Sequence, residues 1–108
     1  MKRDYRLYID DILEAVGKIE KYTEKLTFDD FAQDGKTIDA VIRNFEIIGE
    51  AGKEIPEEIK AKHTDIPWKE MAGMRDKLIH AYFGVNLEVV WQTVKHRLPE
   101  LKKKIHQI

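Results

Sequence analysis

The stretch IDAVIRNFEIIG, residues 38–49, indicates the fold class, because its apolar residues recur at steps of three and four. This spacing places them on one side of an α-helix, whereas a half-buried β-strand needs strict alternation. Asp34 and Gly35 break the chain just before the stretch, and Asp34 is a suitable N-cap. The stretch therefore predicts an amphipathic helix that begins close to Asp34.

Similar patterns lie on both sides of this helix. Pro56 ends it, Pro67 fits the first turn of a later helix, and Gly84 is a suitable terminator for that one. Asn86 can cap the last helix, in which Pro99 removes a backbone donor and predicts a kink. The other predicted helices are residues 4–26, a short turn at 56–62, and residues 67–83 and 87–108; residues 27–31 form a connector or a brief helix.

The pattern of elements predicts an all-α fold. No segment alternates as a strand would, and the chain contains no internal repeat or linker. With 108 residues, 43% of them hydrophobic, the chain is long enough for one modest core. We therefore expect a single domain over residues 1–108, an up-and-down bundle of four main helices plus short helical segments.

The charge balance restricts how the chain could contact nucleic acid. Its formal net charge is −1, so any such contact must come from a local patch. The C-terminal helix has the densest group of cations and is the best candidate for an RNA-backbone contact, although most such runs are only solvated faces. These cations are Lys95, Arg97, Lys102, Lys103 and Lys104.

Several protein classes are disfavoured by composition. No apolar run approaches the length of a membrane span and the N-terminus lacks the apolar core of a signal peptide, so we expect a cytoplasmic protein. Cysteine is absent, and the four histidines share no metal-ligand spacing. We therefore expect neither a metal nor another cofactor.

The predicted helix over residues 67–83 has a cation in the middle of its apolar arc. Arg75 lies there with Tyr82 almost directly below it, and burial of an unpaired charge is costly, so a partner group or a phosphate is implied. His80 is about 140° away around the helix and roughly 7.5 Å along its axis. Asp76 stands one turn before His80 and can orient its imidazole. Because Arg75 and His80 diverge, a compact site is easier to form in a two-fold homodimer.

These side chains suit metal-free cleavage of RNA. His80 would take the proton of a ribose 2′-hydroxyl or protonate the leaving 5′-oxygen, and Arg75 would stabilise the added negative charge. The products would be a 2′,3′-cyclic phosphate and a 5′-hydroxyl, and DNA would not be cleaved. The alternative is that Arg75 pairs with an acid such as Glu46 or Glu50, although that acidic row is more simply explained as solvated salt bridges.

The segment Arg75-Asp76-x-Leu78-x-His80-x-Tyr82 resembles the RNase motif of the HEPN superfamily and, more closely, that of the HepT-like toxin family. The similarity extends to residues 39–51, 66–75 and 87–98. The resemblance implies the toxin of a toxin–antitoxin pair, with an MntA-type nucleotidyltransferase as antitoxin. By that resemblance Arg75 and His80 are catalytic, Asp76 is the polar residue of the motif, and Tyr82 is the hydroxyl that the antitoxin modifies with AMP.

Two rival hypotheses remain open from the sequence. The chain could be a non-catalytic HEPN adaptor that binds a nucleotidyltransferase partner or a nucleotide and has no RNase activity. It could also be a plain oligomerisation bundle, in which a buried acid neutralises Arg75 and no cleft exists.

Overall fold

The computed structural model of the chain describes residues 3–80 and 86–108, with the backbone alone for residues 75–80. All regular elements in these residues are helical, and no strand is present among them, so the prediction of an all-α bundle is confirmed. The helices are α1 (Tyr5–Thr23), α2 (Phe28–Ala32), α3 (Gly35–Lys53), α4 (Glu57–Lys62), α5 (Trp68–His80), α6 (Leu87–Gln92) and α7 (Leu98–Ile105), with a π-helical turn (Thr93–Arg97) that joins α6 to α7.

Side-chain caps fix where several helices begin. The Asp34 carboxylate accepts a hydrogen bond from the backbone N–H of Thr37 at 3.1 Å and caps α3. The Asn86 side chain accepts one from the backbone N–H of Glu88 at 2.9 Å and caps α6. Each cap satisfies a backbone donor that has no partner within the helix. The predictions for Asp34 and Asn86 are therefore confirmed.

The C-terminal end of the first helix differs from the prediction. The first helix ends at Thr23, three residues before the predicted end at Leu26. The Thr23 hydroxyl donates to the carbonyl of Ile19 at 2.8 Å, and the Leu26 N–H bonds the Thr23 carbonyl at 3.1 Å, which closes the helix with a turn. The predicted end of the motif helix at residues 83–84 lies outside the described residues.

The irregularity that we expected at Pro99 lies one turn earlier. Pro99 is in the first turn of α7, where its missing N–H costs little. Before it, the N–H of Leu98 bonds the carbonyl of Thr93, five residues back, as in a π-helix. Val90, Val94 and Leu98 are all buried at steps of four residues. The π turn also contains Lys95, whose carbonyl would bond the N–H that Pro99 lacks.

The central helix α3 organises the bundle. It packs extensively against α1 on one side and α5 on the other, and α7 packs against α1. A Cβ atom added at Gly52 of α3 would lie 3.3 Å from the Met71 Cε atom, so α5 approaches α3 closely at this point. Within the described residues, no helix combines the length and the apolar character needed to cross a membrane.

Candidate active site

The motif residues lie in the second half of α5. Arg75, Asp76 and His80 all belong to this helix, which continues to His80. Helical geometry therefore separates Arg75 from His80 by about 140° and places Asp76 one turn before His80. Tyr82, the predicted modification site, lies outside the described residues.

The start of α5 is anchored in the core. Ile66, just before the helix, is 3% exposed, and so is Met71 in its first turns. The indole N–H of Trp68 donates to the carbonyl of His63 at 3.0 Å, and the backbone N–H of Met71 donates to the carbonyl of Pro67 at 3.0 Å. These contacts fix the direction in which the helix runs towards Arg75.

A shallow apolar groove follows α5 towards the motif, between α3, α5 and the π turn with α7. We call it the α5–α7 groove. The Glu70 carboxylate and the Arg97 guanidinium form an ion pair at its rim, with 3.1 Å between Oε2 and Nη1. The sequence did not indicate this groove, because its walls come from three distant segments. Its floor consists of Phe45, Ile48, Met71, Met74, Leu98 and Leu101.

Most of the predicted RNA-binding cations have partners within the chain. The Lys95 ammonium donates to the carbonyl of Thr23 at 3.3 Å and lies 4.6 Å from the centre of the Trp91 ring. Lys102 pairs with Glu20 at 3.0 Å and so links α7 to α1.

Lys103 is exposed and has no partner among the described residues, whereas Lys104 pairs with Glu100 at 3.2 Å. Arg97 is held by Glu70, as described above. The cations therefore also connect elements of the bundle, and RNA would have to compete with exposed ion pairs that are individually weak.

The acidic row on α3 forms at least one salt bridge of the expected kind. Glu46 pairs with Arg43 at 3.3 Å, three residues away on the same helix. In the part of the chain that the structure describes, no group of three or more His, Asp or Glu side chains lies close enough together to hold a metal ion. The side chain of Arg75 is not described, so its pairing with an acid stays a prediction.

The fold and the motif on α5 define a helical bundle of the HEPN type. Residues 12–108 match the family model described as Ribonuclease HepT-like, and the chain belongs to this family. It is 55% identical over its whole length to a Thermococcus cleftensis protein named "Probable ribonuclease HepT", of which it covers 98%.

Other relatives have similar names. Over 99% of the chain, identity is 48% to "Putative RNase MJ0127" of Methanocaldococcus jannaschii, of which 88% is covered. Over 95% of the chain, identity is 45% to "Putative RNase TTE0752" of Caldanaerobacter subterraneus, of which 92% is covered. No solved structure gives a significant match to the chain.

Proposed function

We propose that this chain is an endoribonuclease toxin that cleaves RNA by attack of a ribose 2′-hydroxyl. Its class, an RNA-cleaving enzyme, follows from the family to which it belongs. The observation that carries the finer proposal is the order Arg75, Asp76 and His80 on one helix that is packed against α3. A histidine and an arginine are the two groups that this reaction needs.

The chemical step uses an internal nucleophile. His80 removes the 2′-hydroxyl proton, and the 2′-oxygen bonds the phosphorus while the bond to the 5′-oxygen breaks. The His80 imidazolium formed in this way then gives its proton to the leaving 5′-oxygen, so one histidine accounts for both proton transfers. Arg75 stabilises the extra negative charge on the phosphoryl oxygens, and Asp76 orients the imidazole. Because the nucleophile belongs to the substrate, the reaction needs no metal-bound water.

The divergence of Arg75 and His80 supports a composite site. On a single helix they are about 140° apart, so one phosphate contacts both more easily if they come from different subunits. We propose a two-fold homodimer in which Arg75 of one protomer and His80 of its partner flank the scissile phosphate. The RNA backbone on either side would contact the cations of the π turn and α7, namely Lys95, Arg97, Lys102 and Lys103.

Substitution of the two motif residues tests the chemistry. We expect Arg75→Ala and His80→Ala each to lower the cleavage rate at least about a hundredfold, since each removes a group that acts in the transition state. The matched control is His96→Ala, because His96 is an exposed histidine on the π turn. Cleavage of a labelled RNA and mass analysis of the termini give the rate and the cyclic phosphate. Equal cleavage by all four proteins would contradict the assignment.

Regulation is proposed to act through Tyr82. A nucleotidyltransferase antitoxin would transfer AMP to the Tyr82 hydroxyl, and the added bulk and negative charge would exclude an RNA phosphate next to Arg75. Intact mass after coexpression with the cognate nucleotidyltransferase should show the addition of AMP, and Tyr82→Phe should abolish it. Tyr22→Phe is the control, because Tyr22 is the 41% exposed tyrosine of α1. Modification that persists in Tyr82→Phe would contradict the proposal.

A further inference from the structure

The α5–α7 groove combines an apolar floor with one acid and one cation at its rim. We propose that this groove binds one nucleobase of the RNA substrate, guanine, next to the scissile phosphate. The inference rests on the proposed ribonuclease function and adds a base-recognition site to it.

The floor of the groove suits the flat face of a base. Met74 and Leu101 are partly buried and supply the apolar surface that a base can contact, and they pack against the core that contains Phe45, Met71 and Leu98. Bases bound outside a duplex are commonly held between apolar or aromatic side chains. Methionine side chains are flexible and polarisable, so they can adapt to such a face.

The rim of the groove matches one base edge in particular. The Glu70 carboxylate accepts hydrogen bonds, and the Arg97 guanidinium 3.1 Å away donates them. Guanine presents two adjacent donors, N1–H and the N2 amino group, beside the O6 acceptor, whereas adenine, cytosine and uracil lack this order of groups. Glu70 would accept from the two donors, and Arg97 would donate to O6.

The Glu70–Arg97 pair can open to admit the base at little cost. The two side chains are 68% and 73% exposed, and exposed ion pairs contribute only about 0–1 kcal/mol. Binding of guanine would replace the single contact between them with hydrogen bonds to both. A guanidinium has several N–H donors, so Arg97 can bond the base edge and still contact the phosphate backbone.

The position of the groove places the base close to the chemistry. Met71, on the floor of the groove, lies four residues before Arg75 on α5, which is about 6 Å along the helix axis and only about 40° around it. Met74, at the floor of the groove, directly precedes Arg75 in sequence. A base in the groove is therefore about one nucleotide from a phosphate at Arg75, so the groove would set which base flanks the cut.

The methionine methyl groups of the chain can report binding in the groove. Met71 and Met74 line the groove and Met1 is the third methionine, so protein labelled with ¹³C at the methionine methyls gives two signals from the site and one internal reference. The probes are 2′-O-methyl trinucleotides UGU, UIU and UAU, which cannot be cleaved. UGU should shift the Met71 and Met74 signals and bind at least about tenfold tighter than UAU. UIU, which lacks the N2 amino group, should fall between them.

Substitutions separate the edge contacts from general binding. Glu70→Gln should abolish the preference for UGU over UAU, whereas Glu100→Gln, an exposed acid paired with Lys104, should retain it. Equal binding of UGU and UAU, or no shift of the groove signals, would overturn the inference. So would groove signals that change with protein concentration alone, because a second copy of the chain would then occupy the groove.

A cleavage assay on RNA of mixed sequence distinguishes the two proposals. Wild-type cleavage without a guanine preference, unchanged in Glu70→Gln, would refute base recognition and leave the ribonuclease proposal intact. Guanine-selective shifts of the groove signals in a protein that cleaves no RNA would refute the ribonuclease proposal and retain the guanine site.

Discussion

The residue that caps α3, Asp34, carries a negative charge that stabilises the start of the helix. Hydrogen bonds from Thr37, first from its hydroxyl at 2.6 Å and then from its backbone N–H at 3.1 Å, hold the pKa of Asp34 below its usual value. A lowered pKa in the folded state means that the ionised form stabilises the fold. This contribution is fully present above the ordinary carboxyl pKa and is lost as the pH falls through the lowered pKa.

The wild type and Asp34→Asn should therefore differ in stability, and the difference should depend on pH. Asparagine keeps the capping oxygen but does not titrate, and it loses the favourable interaction of a negative charge with the helix N-terminus. The melting temperature of the wild type should exceed that of Asp34→Asn at pH 7, and the difference should shrink as the pH falls below about 4, the ordinary carboxyl pKa. A difference that stays constant over this range would contradict the assignment. Glu24→Gln, at an exposed acid near the end of α1, is the control.

Helix caps can be predicted from sequence, whereas ion pairs between different helices cannot. The caps at Asp34 and Asn86 were predicted correctly because the bonded groups are two or three residues apart. The Lys102–Glu20 and Arg97–Glu70 pairs join residues distant in sequence, so they depend on how the helices pack. The cationic run was therefore visible in the sequence, but its partners were not.

At the scale of elements, a small aromatic cluster joins α2 to α6. The Trp91 ring lies 5.2 Å from the Phe31 ring and 6.2 Å from the Phe28 ring, measured between centroids. Phe31 is fully buried, whereas Phe28 is only half buried. A short helix such as α2 has little stability of its own, so this packing holds it in place.

The matched pair Phe31→Ala and Phe28→Ala measures that packing. Phe31→Ala should lower the free energy of unfolding by about 3–5 kcal/mol, because it removes a buried ring and leaves a cavity. Phe28→Ala should cost less than half as much, since its ring is partly in water already. Urea unfolding followed by circular dichroism gives both values. Equal losses would show that burial does not control the contribution of the cluster.

The π turn between α6 and α7 is a detail of the last helix that its sequence did not predict. The stripe along residues 87–108 predicted a helix correctly, and Pro99 suggested where it would be irregular. The irregularity lies at Thr93–Arg97, one turn before Pro99, and this turn contains Lys95, whose carbonyl would bond the N–H that proline lacks. The sequence therefore located the irregularity to within one turn, but its π-helical form was not predicted.

At the scale of the whole molecule, the composite site can be tested by mixing two inactive proteins. If each site uses Arg75 of one protomer and His80 of its partner, an Arg75→Ala/His80→Ala heterodimer keeps one intact site of two. Random exchange makes about half of the dimers heterodimers, so a mixture in equal amounts should recover about a quarter of the wild-type rate. No recovery after subunit exchange would mean that the two groups act from the same chain.

The face of α5 that carries His80 provides the control for this experiment. Gly73 lies seven residues before His80, so the two share that face to within about 20°. Among the described atoms, a Cβ atom added at Gly73 or at Gly17 of α1 meets none within 4 Å, so we expect both positions to accept a side chain. Gly73→Gln, introduced into both inactive proteins, should prevent recovery by blocking the approach of the partner helix, whereas Gly17→Gln should not. Light scattering should show monomers for the first substitution and dimers for the second, and recovery that survives Gly73→Gln would place the dimer contact on another face.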